Sequence, residues 1–228
     1  MRLSALVFDF DGLLFDSEIP IFESWRWLYA QQGHELTPAE FAQCIGSDWQ
    51  TWNPERRLEE LVGHPLPWEA LHPERHEICR QKMEEAQLLP GARDRIEEAV
   101  ALGLPLAVAS SSPHSWVDPW LKKFGLLAHF HSLHCADDVE RVKPAPDLFL
   151  RATEALGHPP AETLVLEDSR NGLLAARAAG NPCLVVPNEV TRALSFEGAW
   201  RRAESLAAFS FQALLEETAT ASAHKPAR

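Results

Sequence analysis

Two short runs of the chain, Ala5-Leu-Val-Phe8 and Thr163-Leu-Val-Leu166, are continuously apolar but for the opening threonine of the second, and both end abruptly in acids. A strand with one face in water alternates apolar and polar residues, whereas a strand covered on both faces is apolar throughout. Each run therefore calls for helices on both sides. The first run extends over 3–10, and further strand-like runs at 104–110, 131–135 and 183–186 alternate with helical patterns. The expected fold class is α/β, with a Rossmann-like parallel-sheet core.

The stretch between the first strand and the second is too long for a simple crossover and has no convincing strand. Ile21, Phe22, Trp25, Leu28 and Tyr29 form one helical stripe, with Pro20 in the first turn, where its missing N–H does no harm. Thr37-Pro-Ala-Glu40 opens a second helix with a capping-box pattern, and Pro54 opens a third. Residues 16–87 are expected to form an all-helical inserted domain. The α/β core then comprises 1–15 and 88–215, and 216–228, rich in Ala, Thr and Ser, is expected to be a frayed tail.

With 228 residues, 46% hydrophobic and 24% charged, the chain has the composition of an ordinary soluble globular protein, which excludes fibrous and wholly disordered readings. The 21 Lys and Arg against 33 Asp and Glu give a net charge of −12, which repels a polyanion, so no nucleic-acid partner is expected. The insert alone holds 6 basic and 14 acidic residues. No apolar run approaches the roughly 18 residues of a spanning helix, and the apolar start runs straight into Asp9 and Asp11, so no membrane partner or secretory signal is expected. Cys44, Cys79, Cys135 and Cys183 are widely separated, with no Cys-x-x-Cys pair. The expectation is a reduced cytoplasmic protein, monomeric or weakly dimeric.

Ligands of open α/β sheets gather where the carboxyl ends of several strands converge. Asp9, Asp11, Ser110, Glu167 and Asp168 all fall at such ends. Carboxylates crowded in one crevice repel one another unless a cation sits among them, and hard oxygen donors without His or Cys suit Mg²⁺. A divalent ion beside a carboxylate fits phosphoryl transfer. Ser110, Ser111 and Ser112 supply hydroxyls and backbone N–H groups for a phosphate, and Lys143, one of only five lysines, precedes the helical run 147–156.

Asp9-Phe-Asp-Gly12, Ser110 after an apolar strand, Lys143-Pro144 and Glu167-Asp168-Ser169 occur in order and at fitting intervals. Together they resemble the four motifs of the haloacid dehalogenase superfamily, over nearly the whole chain. The resemblance implies that Asp9 attacks phosphorus and forms an aspartyl-phosphate, and that Asp11 protonates the leaving oxygen and then activates water. It also implies that Mg²⁺ is held by the Asp9 side chain, the Asp11 backbone carbonyl and Asp168, with Glu167 a direct or water-bridged ligand. Ser110, the Ser111 N–H and Lys143 would bind the phosphoryl oxygens. The helical insert resembles the cap of the β-phosphoglucomutase and phosphoglycolate phosphatase subgroup, which closes over the crevice and excludes water. Dehalogenases of the superfamily lack the second aspartate, so Asp11 favours a small phosphate ester as substrate.

Within that subgroup the alternative is a phosphosugar mutase. Where the mutase pattern has a histidine on the first cap helix this chain has Ile21, and where it has a phosphate-binding arginine after the cap glycine the chain has Trp49. Neither apolar residue binds a second phosphate, so hydrolysis of a sugar phosphate or similar metabolite is the favoured reading. Five of the eight tryptophans, Trp25, Trp27, Trp49, Trp52 and Trp68, lie in the insert, where packing is the commoner role. Trp49, beside Gly46, is the candidate for touching substrate. Arg75, on the last cap helix, and His114, beyond Ser112, are further candidates for substrate contact. His72 and His76 have a zinc-compatible spacing but no acid between them in the metalloprotease position, which argues against a metal.

Overall fold

A computed structural model describes residues 2–46 and 52–223. Six strands form one parallel sheet in the order β3-β2-β1-β4-β5-β6: β1 (Ala5–Phe8), β2 (Leu106–Ala109), β3 (Ser132–His134), β4 (Thr163–Glu167), β5 (Cys183–Val185) and β6 (Arg201–Arg202). The two runs apolar on both faces are neighbours at the sheet centre, with Leu6 beside Leu164 and Phe8 beside Leu166. Their alternate residues feed two separate cores. Leu6, Phe8, Leu164 and Leu166 pack toward α5 (Ala92–Ala101), α6 (His114–Lys123) and α9 (Phe211–Ala223). Val7 and Val165 pack toward α7 (Asp147–Leu156) and α8 (Arg170–Ala179). This arrangement explains why Ala5 to Phe8 and Leu164 to Leu166 are apolar without interruption.

Between β1 and α5 the described residues contain α1 (Glu18–Gln31), α2 (Pro38–Phe41), α3 (Pro54–Val62) and α4 (Trp68–Glu85), and no strand. Thr37 and Glu40 form the expected reciprocal capping box, and Asn53 caps α3 ahead of Pro54. Phe22, Trp25, Leu28 and Tyr29 of α1 build a third hydrophobic cluster with Phe41 and Leu58. Val190, from the loop after β5, also belongs to that cluster and ties it to the sheet domain. Trp25 is fully buried there, while Trp27, Trp52 and Trp68 pack at its edge. These tryptophans hold the helical segment together; Trp49 lies outside the described residues.

One expectation needs correction. The stretch 216–223 is helical rather than frayed, because α9 continues through it on the strength of Phe211 and Leu214, which anchor its first turn in the core. The two-residue edge strand β6 is too short to leave a sequence pattern.

Candidate active site

The carboxyl ends of β1, β2 and β4 and the loop after β5 meet at one crevice. Asp9 follows β1 directly, and its buried carboxylate accepts from Lys143 Nζ at 2.6 Å. The same ammonium reaches Glu167 Oε1 at 2.6 Å, and Lys143 is only 1% exposed. A cation so enclosed survives because two carboxylates face it. Burial pulls the lysine down, but Asp9 and Glu167 overcome that and hold its pKa above the ordinary lysine value. Glu167 Oε2 accepts from the backbone N–H and the hydroxyl of Ser169, at 2.8 and 2.9 Å. Both oxygens of Glu167 are therefore engaged in placing Lys143 and capping α8.

Asp11 is held at both oxygens. Ser17 Oγ and the indole Nε1 of Trp116 donate to Oδ1 at 2.6 and 2.8 Å, and Ser112 Oγ donates to Oδ2 at 2.6 Å, with Ser110 Oγ 3.4 Å away. Ser110 is buried, and its Oγ also accepts from the Ser112 N–H at 3.0 Å. Ser111 lines the same cavity and donates to the carbonyl of Gly46 at 3.2 Å, a contact between the sheet domain and the helical segment.

Asp168 Oδ2 takes a hydrogen bond from Asn188 Nδ2 at 2.8 Å, and the same amide reaches Glu18 at 2.7 Å and the Gly12 carbonyl at 3.0 Å. Gly12 adopts φ +72°, and a Cβ there would lie 2.5 Å from the Glu18 carboxyl carbon and 2.8 Å from Asp168 Oδ2. The turn after Asp11 thus requires glycine twice over, for its backbone and for its space.

Asp9, Glu167 and Asp168 offer oxygen atoms within 4.8 Å of one another, all buried. Asp168 Oδ1 is buried without any hydrogen-bond partner. Burial raises the carboxyls of Asp9, Glu18 and Asp168 above the usual range, and neighbouring carboxylates raise them further. An orphaned carboxylate oxygen in an all-oxygen, anionic donor set fits a hard divalent cation, and Mg²⁺ meets that chemistry.

Above the crevice lies a cavity of about 570 Å³. Arg75 lines it from α4, as does Ile21 from α1. His114 does not line it. Its ring instead bridges Asp118 and Asp138, 2.9 Å from each, so the expectation that it faces the crevice is not met. The first residue of α6 lies between those two acids, and they draw the imidazole to themselves. His72 pairs with Glu55 at 3.2 Å and its ring stacks on His76, with no third ligand among the described residues.

The structure therefore brings Asp9, Asp11, Ser110, Ser111, Lys143, Glu167 and Asp168 to one crevice. Glu18, Asn188, Ser17 and Trp116 belong to the same network and were missed by the sequence reading. Glu18 carried a signal of its own: an acid on the first turn of a helix directly after the Asp-x-Asp turn.

A family model for haloacid dehalogenase-like hydrolases matches residues 3–180. The chain belongs to that family. YhcW of Bacillus subtilis (strain 168) is 40% identical over 214 residues, covering 94% of this chain and 97% of its own length. Fructose-1-phosphate phosphatase YqaB of Escherichia coli (strain K12) is 31% identical over 180 residues, covering 78% and 94%. The crystal structure of CbbY from Rhodobacter sphaeroides in complex with phosphate superposes with a TM-score of 0.68 at 30% identity, covering 90% of this chain and 96% of that one. The fold is shared with a β-phosphoglucomutase from Clostridium difficile, with a TM-score of 0.74 at 18% identity, covering 98% of this chain and 100% of that one.

Proposed function

We propose that the enzyme is a Mg²⁺-dependent phosphatase of a small phosphomonoester, a sugar phosphate or similar metabolite, acting through an aspartyl-phosphate on Asp9. The observation that carries this reading is the pairing of two unlike carboxylates at one strand end. Asp9 is fixed by Lys143 and opens on the cavity, while Asp11, two residues on, is held by neutral hydroxyl and indole donors. A nucleophile and a proton carrier need that difference in surroundings.

In this reading an Asp9 oxygen forms a bond to phosphorus as the ester P–O bond breaks, and Asp11 gives its proton to the leaving alkoxide. A water then attacks the phosphorus, losing its proton to Asp11, and inorganic phosphate leaves as the Asp9–phosphorus bond breaks. Lys143 and Ser110 receive the phosphoryl oxygens, together with the backbone N–H of Ser111. Asp9, Asp168 and the backbone carbonyl of Asp11 would hold Mg²⁺, with Glu167 placing Lys143 and reaching the ion only through water. The bound ion supplies positive charge to the oxygens of the transferring group. The helical segment acts as a cap that keeps water out until substrate is seated. Ile21 in the cavity wall, where a mutase needs a polar group, supports hydrolysis over phosphosugar isomerisation.

Phosphate release from sugar phosphates, phosphoglycolate, nucleotides and an aryl phosphate, with Mg²⁺ and with chelator, tests the reading. Metal-dependent release that disappears in Asp9→Asn is expected. Full release by Asp9→Asn would overturn the mechanism, and conversion of β-glucose 1-phosphate to glucose 6-phosphate without net release would replace hydrolysis by mutase activity.

A further inference from the structure

The cavity has two unlike halves. At the strand ends its wall is polar and serves the phosphoryl group. Much of what the described residues of the helical segment contribute to the lining is apolar, namely Ile21, Phe41, Cys44, Ile45, Cys79 and Met83, with Ser17, Glu18 and Arg75 the polar side chains among them. The backbone carbonyls at the tip of that lining are already taken, Ile45 O by Asn171 Nδ2 at 2.7 Å and Gly46 O by Ser111 Oγ at 3.2 Å. Against those apolar side chains the hydroxyls of a bound polyol would find few partners among the described residues, and buried polar groups without partners are costly.

One cation stands in this lining among the described residues. Arg75 is 7% exposed, its guanidinium lies 4.4 Å from the centroid of the Trp25 ring, and its Nη1 donates to Ser24 Oγ at 3.0 Å. Its Nε is buried with no hydrogen-bond partner, and no described carboxylate forms an ion pair with it. Arg57 of the same segment, by contrast, is 38% exposed and has Glu40 and Glu60 beside it. A guanidinium stacked, buried and left short of acceptors is poised for an anion arriving with the ligand.

Resting on the phosphatase reading, we propose that the preferred substrate is a phosphomonoester of a compact apolar acid: an alkyl or aryl group that carries the phosphate at one end and a single carboxylate at the other, received by Arg75. The phosphate enters at Lys143 and Ser110, the apolar body lies against Ile21, Phe41 and Met83, and the carboxylate ends at Arg75. A second negative charge on the body of the ligand would meet Glu18 and Asp11, which also line the cavity.

The test compares phenyl phosphate, carboxyphenyl phosphate and fructose 1-phosphate on the wild-type enzyme with Mg²⁺, then on Arg75→Met and Arg75→Lys. A charge-assisted contact in a desolvated site predicts that carboxyphenyl phosphate exceeds the other two in kcat/KM by about 10- to 100-fold. Most of that preference is expected in KM; it collapses toward parity in Arg75→Met and returns in part in Arg75→Lys. Fructose 1-phosphate turned over as well as or better than carboxyphenyl phosphate would overturn this inference while leaving the phosphatase intact. An equal loss on all three esters in Arg75→Met would assign Arg75 to packing on Trp25 and overturn it too. Absence of release from every ester would instead overturn the phosphatase reading on which it rests.

Discussion

The indole N–H of Trp116 donates to Asp11 Oδ1 at 2.8 Å, across the gap between the N-terminal turn of α6 and the loop after β1. The ring is itself wedged between Phe15, at 6.4 Å, and Trp120, at 5.8 Å, so the donor has little freedom to follow a moving carboxylate. Trp116→Phe keeps the ring contacts and deletes the donor. Loss of one positioning hydrogen bond is worth about 1 kcal/mol, so kcat is expected to fall about 5- to 10-fold with thermal stability nearly unchanged. Steady-state kinetics and a melting curve check this, and an unaltered kcat would leave Asp11 placed by Ser17 and Ser112 alone.

Lys143 sits between Asp9 and Glu167 at 2.6 Å from each. Lys143→Met would leave two buried carboxylates facing each other without their cation. Breaking a buried pair in this way costs about 3–5 kcal/mol. Chemical denaturation should show that loss, and phosphate release should disappear. In Lys143→Met/Glu167→Gln the second change removes one of the stranded charges, so part of the stability is expected to return while activity does not. Equal stability of the single and double variants would show that the repulsion between Asp9 and Glu167 is relieved by other means.

The strand ends were legible because burial on both faces writes itself into consecutive residues: Ala5 to Phe8 and Leu164 to Leu166 could be assigned without any knowledge of their neighbours. Asp9, Asp11, Glu167 and Asp168 followed from standing next to them. Asn188 was not legible, because an asparagine in a loop reads as a turn residue, and its grip on Glu18, Gly12 and Asp168 spans 170, 176 and 20 residues. Trp116 was hidden for a similar reason: its apolar ring is ordinary on a helix, and only the fold brings its N–H to Asp11. His114 was misplaced because proximity to Ser112 in sequence says nothing about which side of the helix start a ring occupies.

Gly172 lies in α8 with ordinary helical backbone, where alanine normally stabilises by roughly 0.5–1 kcal/mol. Here a Cβ would overlap the Glu167 carboxylate, which is pinned by Lys143 and Ser169. The sign should reverse: Gly172→Ala is expected to lose about 1–3 kcal/mol, as overpacking of a filled site does. Activity should fall with it, since Glu167 cannot move without releasing Lys143. A raised melting temperature would mean that Glu167 shifts freely.

His114 gives the molecule a titrating stability contribution away from the crevice. Its ring meets Asp118 on its own helix and Asp138 after β3, while its backbone N–H is taken by Asp137 and His134 lies nearby on β3. The hydrogen bond to Asp118 raises its pKa above the ordinary histidine value, against a smaller loss from burial, and the bond to Asp138 adds to the rise. A group whose folded pKa exceeds its unfolded value stabilises fully below the unfolded value and loses that contribution as pH rises through the folded one. Wild type should therefore exceed His114→Gln in melting temperature most at pH values below about 6.5, with the difference shrinking as the pH rises above it. The ring is 35% exposed, so screening by solvent and salt keeps the effect modest and added salt should reduce it. Melting curves of both proteins from pH 5.5 to pH 9 measure it directly. A difference that grew with pH would show the imidazole to be neutral in the folded protein and Asp118 and Asp138 to be held by other donors.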